Sequence, residues 1–303
     1  MAQRMSSSHD AAKGFTLWLA ACVAFSWPIR GQDKKQPNAE SEALPSAEVI
    51  LDKYIEVTGG KAAYSRLHTL HLEGGVQVGN STSKNNITSD YALPANSYEV
   101  VSFGLMQVVK GTNGKVAWQK SGPLASIGKG EARLREYGEM DLALLLARFN
   151  ADATWRDLYS KVETVGVESI NGRECYRIEL TVKGGLGITG GLQLTKYYDR
   201  QSGLLVKTAM NLKVPKTDPP TNAFAAPVPK VPLELGEMAW EFLVGEYRKE
   251  RDILFPHQTI ERINGRVRAT TTIEQVDWNA SISKDRYGLP DEVQTLLTER
   301  KAR

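Results

Sequence analysis

The chain has 303 residues, 41% hydrophobic and 24% charged, with a formal net charge of +3. That balance suits a folded globular chain and excludes a disordered or collagen-like one. Only two cysteines, Cys22 and Cys175, are present, which excludes a disulfide framework. Setting aside residues 1–31, which carry three basic side chains and one acidic, leaves +1, and nothing in that balance points to nucleic acid.

Residues 1–31 read as a secretory signal peptide. Arg4 and Lys13 precede the apolar run FTLWLAACVAFSWPI, and polar residues follow it. The run is 15 residues long, short of the roughly 20 that cross a bilayer. LAAC, ending at Cys22, also fits a bacterial lipobox, so an anchor through lipidated Cys22 is the alternative to soluble export into the periplasm. Residues 32–45 are a polar linker.

The next segment predicts a helix, with Ser46 as N-cap, Glu48 in its first turn, Ile50, Tyr54 and Val57 at helical spacing, and a stop at Gly59-Gly60. Strands follow. In TLHLEGGVQVG, Leu70, Leu72, Val76 and Val78 alternate, and YALPANSYEVVSF, LMQVVKG and KVAWQK continue the sheet around an Asn113-Gly114 hairpin signal. The period then changes at 131–150, where Leu134, Leu142, Leu145, Leu146 and Phe149 predict one amphipathic helix. SKVETVGVESI, an Asn171-Gly172 turn and the alternating CYRIELTVK restore the strand pattern.

GLGITG, inside the stretch from Gly184 to Gln193, matches a dinucleotide-binding fingerprint. That motif needs a helix to start from it, because helix N-terminal amides hold the phosphates. Here a strand precedes and LQLTKYYDRQSGLLVKTAMNL follows, with Leu204, Val206, Thr208, Met210 and Leu212 alternating. The glycines therefore predict a hairpin connection. Residues 214–236 are a proline-rich insertion, after which Trp240, Phe242 and Val244 alternate and Asn264-Gly265 signals another hairpin. The end, 291–303, reads as a short helix or tail.

About 10–11 strands joined by tight turns, with one helix before the sheet and one within it, predict a mainly β (α+β) domain over 46–290. Its expected form is a strongly curved antiparallel sheet, or incomplete β-barrel, covered by helices.

Metal, hydrolase and redox chemistry find no pattern. His68 and His71 lie three apart on a strand and so point to opposite faces; His257 follows Phe255-Pro256 with no second ligand type beside it. No HExxH, GxSxG, phosphate-binding loop or CxxC is present, so neither an enzyme nor a cofactor or metal is expected. Cys175 reads as a small packing residue in its strand.

Three passages resemble the LolA/LolB/RseB superfamily of periplasmic proteins: SAEVILDKYIEVTGGKAAYSRLHTLHLEGGV, DRQSGLLVKTAM after KYYD, and DILFPHQTIERINGRVRATTTIEQVDWNASISKDRYGLP. The resemblance implies a half-barrel envelope protein of the lipoprotein-sorting kind, with a lipid or lipidated protein, or another envelope protein, as partner. It does not imply that the chain is itself a carrier.

An apolar cavity inside such a sheet is expected to be lined from several elements. The first strands would contribute Leu70, Leu72, Val76, Tyr98, Val100 and Trp118, and the inserted helix Leu142, Leu145, Leu146 and Phe149. The later strands would contribute Ile178, Leu180, Val206, Met210, Trp240 and Phe242. A filled core, making the chain a structural or protein-interaction module, is the alternative.

Overall fold

In the computed structural model, residues 43–123, 130–185, 187, 188, 191–215 and 235–301 are described. The signal segment with Cys22, linker residues 32–42 and residues 216–234 of the proline-rich insertion lie outside the described residues.

The elements run α1 (Ala47–Val57), α2 (Lys61–Tyr64), β1 (Thr69–Val78), β2 (Asn85–Ala92), β3 (Asn96–Phe103), β4 (Met106–Asn113), β5 (Ala117–Pro123) and β6 (Glu131–Arg135). After α3 (Tyr137–Leu146) and α4 (Trp155–Leu158) come β7 (Tyr159–Ile170), β8 (Arg173–Val182), β9 (Gln193–Asp199), β10 (Leu205–Pro215), β11 (Leu235–Glu250), β12 (Ile253–Ile263) and β13 (Arg266–Trp278). A 3-10 turn (Lys284–Tyr287) and α5 (Asp291–Lys301) close the described chain. All 13 described strands form one sheet in the order β6-β5-β4-β3-β2-β1-β13-β12-β11-β10-β9-β8-β7. It is two meanders joined where β1 pairs antiparallel with β13, Leu70 opposite Trp278.

The strand count exceeds the expected 10–11, and one added strand is β6. The residues from Glu131 to Asn150 do not form a single helix: Leu134 lies opposite Trp118 and Arg135 opposite Ala117 in the ladder with β5. Tyr137, at φ 50°, turns the chain out of the ladder and into α3. The Asn171-Gly172 and Asn264-Gly265 pairs both adopt positive φ at each residue, the conformation two-residue hairpins need.

The sheet curls strongly. Helix α3 packs on β5 and on β10, which stand eight places apart in the strand order. Laid flat, those strands would be about 38 Å apart at ~4.8 Å per neighbour, whereas a ten-residue helix is only about 15 Å long. The curl places α1, α3 and α4 on the concave side, where Leu51, Tyr54, Leu144, Leu145 and Trp155 join Ile178, Leu180, Leu194, Met210 and Leu212 in one buried cluster.

The glycine-rich connection between β8 and β9 closes one end of this core. Ile188 is buried in the same cluster, and Gly187 lies so close to the β4–β5 turn that a Cβ there would stand 2.9 Å from the Gly114 carbonyl oxygen and 3.1 Å from Leu144. Gly187 also has φ +78°, which side chains disfavour. Gly185 shares the positive φ, at +87°, but faces open space. Gly187→Ala is expected to lower stability by about 1–2 kcal/mol, and Gly185→Ala by less. Urea denaturation of the two variants checks this order.

Candidate functional site

The ladder registers, and for α3 and Phe149 the packing, assign each predicted lining residue to a face. Leu70 and Leu72 lie on the concave side, packed with Ala63, Leu67 and Trp278, and Phe149 rests against that group within 6.4 Å of Tyr91 and 6.2 Å of Trp278. Leu142, Leu145, Ile178, Leu180, Met210 and Trp240 belong to the main core, with Phe242 packed on it. Val76 belongs to a separate concave cluster with Ile87 and Val101, against which Phe103 and Ala269 pack.

The structure does not bring the remaining five to that surface. Tyr98, Val100 and Trp118 occupy the opposite, outer face, under α5 with Val109, Val293 and Leu297. Val206 packs outside with Cys175, Ile170 and Tyr197, because the register with β9 shifts between Leu205 and Lys207 and so reverses the alternation. Leu146 is half exposed while its neighbour Leu144 is fully buried.

The concave surface is uneven. Over β7–β11 the helices fill it. Over β1–β6, the row Leu72-Ser89-Glu99-Lys110-Gln119-Arg133 runs across the strands, and with Glu139, Arg135, Glu261 and Arg268 it makes a charged belt. Lys110 Nζ donates to Glu99 at 2.7 Å. Arg133 holds Glu139 through two bonds of 2.6 and 3.2 Å. Arg268 holds Glu261 at 3.0 and 2.8 Å, and the Trp240 indole N–H donates to the same carboxylate. Desolvation opposes ionisation of Glu99, yet the Lys110 ammonium outweighs it and the carboxyl sits below its usual range. Glu139 is likewise lowered against desolvation by its Arg133 bonds. Each of these carboxylates is a quarter exposed, so they line a sheltered concavity rather than an outer surface.

On the outer face, His71, Asp90 and Arg286 border a hollow of about 390 Å³ with residues 280–283. His71 Nδ1 is 2.6 Å from Asp90 and Nε2 is 3.1 Å from Glu73. Two carboxylate partners make both ring nitrogens donors, so the imidazolium is favoured. Arg286 Nε donates to Asp90 at 2.9 Å, and its guanidinium lies 4.0 Å above the Tyr98 ring. The chain after β13 is thereby strapped over β2–β5, where Lys120 also donates to Glu292 of α5 at 2.9 Å. A second hollow of about 170 Å³, beside Lys161, Glu163 and Glu179, is lined mainly by polar groups.

Comparison with known proteins places these features in context. No family model matches the chain, and no curated protein matches it. Among solved structures it is similar to a DUF1329 family protein from Desulfovibrio piger, at 10% identity and TM-score 0.46, covering 80% of this chain and 96% of that one. It is also similar to a LolA superfamily protein from Nitrosomonas europaea, at 11% identity and TM-score 0.46, covering 80% and 97%.

Two pH effects follow from the site. The belt's Glu99, with its lowered pKa, adds stability above its ordinary 4.5 that is lost as the pH falls through the lowered value. Lys110→Met is expected to cost about 1–3 kcal/mol near neutrality, with the deficit shrinking in acid, where Glu99 is neutral in both proteins. His71 works in the other direction. Desolvation disfavours its charge, but the bonds to Asp90 and Glu73 outweigh that and raise its pKa above 6.5. Its contribution is full below 6.5 and is lost as the pH rises through the raised value. Urea midpoints measured from acid to alkaline pH are expected to lose that alkaline decline in His71→Gln.

Proposed function

We propose that the chain is a non-enzymatic, exported envelope protein that binds an acyl chain, borne by a lipid or a lipidated partner, against the concave face of β1–β3 and β13. The observation that carries this reading is the cluster of Val76, Ile87 and Val101 with Phe103 and Ala269. It is built from strand side chains alone, whereas the main core draws on α1, α3 and α4. On the same row, Val78 pairs with Ala269 and remains 45% exposed, an apolar rim beside the cluster. Val76, Ile87 and Val101 are themselves buried, so the apolar surface open to a guest is Phe103, Ala269 and the Val78 rim; apolar surface next to polar groups that fix orientation is the usual make-up of a site for an amphiphile. The sequence resemblance supports the same reading and the periplasmic location.

The test is direct. Lipid extracted from the purified protein is expected in mass spectra, and a fluorescent long-chain alcohol is expected to bind saturably. Ile87→Asp, which puts a charge on the apolar floor, is expected to weaken that binding by about tenfold or more. Absence of both co-purified lipid and saturable uptake would leave the interaction-module reading in its place.

A further inference from the structure

The charged belt contains one cation more than its anions can use. Glu99 is taken by Lys110, Glu139 by Arg133 and Glu261 by Arg268. Arg135 remains. It has no hydrogen bond or ion pair with a described residue, and its Nε is buried without a hydrogen-bond partner. Its backbone is fixed opposite Ala117 at the end of β6, two residues before the chain turns at Tyr137 into α3. The α3 N-terminus beside it has no side-chain cap, so the positive end of that helix adds to the same field.

From these placements we infer that Arg135 anchors an anionic group, a carboxylate or a phosphate, at the head of the acyl guest; this rests on the acyl-binding reading and adds the charge of the ligand to it. A guanidinium held partly out of water with no carboxylate in contact is costly, and a bidentate oxyanion is the ligand that removes the cost. Desolvation is the main influence on Arg135 and disfavours its charge, with Arg133 and Arg268 adding like-charge repulsion against the pull of Glu139 and Glu99. An entering anion relieves both. A neutral headgroup would relieve neither. Glu139 and Glu99 do not satisfy Arg135 themselves because each is held by another cation at 2.7 Å or less in its shortest bond.

The experiment compares four probes on the full chain by calorimetric titration: a long-chain fatty acid, the alkyl phosphate and the alcohol of equal chain length, and inorganic phosphate. The fatty acid and alkyl phosphate are expected to bind about tenfold tighter than the alcohol. In Arg135→Gln that preference is expected to vanish, while Arg135→Lys, which keeps the charge, retains most of it. Equal binding of acid and alcohol by the unmodified chain, or a preference that survives in Arg135→Gln, overturns the inference and leaves acyl binding standing. No binding of any chain-bearing probe removes the acyl reading and the inference together. Inorganic phosphate competing as strongly as the alkyl phosphate would mean a free-anion site and also overturns it. Should Arg135→Gln fail to fold, the ratio of acid to alcohol affinity in the unmodified chain decides the matter.

Discussion

The curl of the sheet around α3 is the constraint on which the rest depends. Strands β6 and β7 are the two edges of the sheet yet successive strands of the chain. The link between them, α3 and α4, runs on the concave side, and α3 touches β5 and β10. One short helix can meet both only if the sheet bends round it, and once bent, the sheet must hide the apolar side chains that each strand turns inward. Gly138 permits the contact: a Cβ there would stand 2.7 Å from the Lys213 carbonyl oxygen of β10.

The two meanders solve that problem differently. In β7–β11 the inward side chains are mainly leucine, isoleucine, methionine and tyrosine, with one buried lysine, Lys196, paired to Asp152, and helices α1, α3 and α4 interlock with them. In β1–β6 the inward rows mix Glu99, Lys110 and Arg133 with Ile87 and Val101, and apart from α2 against β1 and α3 against β5 the helical cover lies on the opposite side instead. There α5 and the 3-10 turn shelter Trp118, Tyr98 and Val109, fastened by Arg286 to Asp90 and by Glu292 to Lys120. The first meander thus has its packed face outward and its chemically mixed face inward, and the second the reverse.

That inversion explains what the sequence could and could not convey. Alternation in β3 separates Tyr98 and Val100 from Glu99 and Val101, but both sets contain apolar residues, so period alone does not say which faces inward. The turns were legible because Asn-Gly pairs have a conformational reason to be where they are. The glycine-rich connection was legible for a similar reason, since a strand on each side leaves no helix to hold a phosphate. Val206 was not, because a bulge at that residue reverses the faces without a glycine or proline to announce it. EARLREYGEM was read as helix because Leu134 and Leu142 fall near helical spacing. A helical pattern hides that Arg133 and Arg135, two apart on a strand, share its concave face. The role of the C-terminal residues was hidden too: α5 is mostly exposed and seals its contact mainly through Val293.

A curled sheet needs no charges on its inner face to be stable. Well-packed hydrophobic residues of similar volume commonly match or exceed a desolvated ion pair in stability, and under the same curvature the inner face of β7–β11 is packed mostly with apolar side chains around a single buried pair, Lys196–Asp152. Two ion pairs and an unpaired guanidinium on the inner face of the first meander, with a third pair beside them between β12 and β13, therefore call for a reason other than stability. A guest with an oily tail and a charged head supplies one. The tail suits the strand-built apolar cluster, and the belt beside it fixes the head and bars the guest from lying in reverse, since an apolar tail against Glu99, Lys110 and Arg133 would strip them of water without replacing it. Orientation is then a property of the wall, set by which rows of the first meander are apolar and which are ionised.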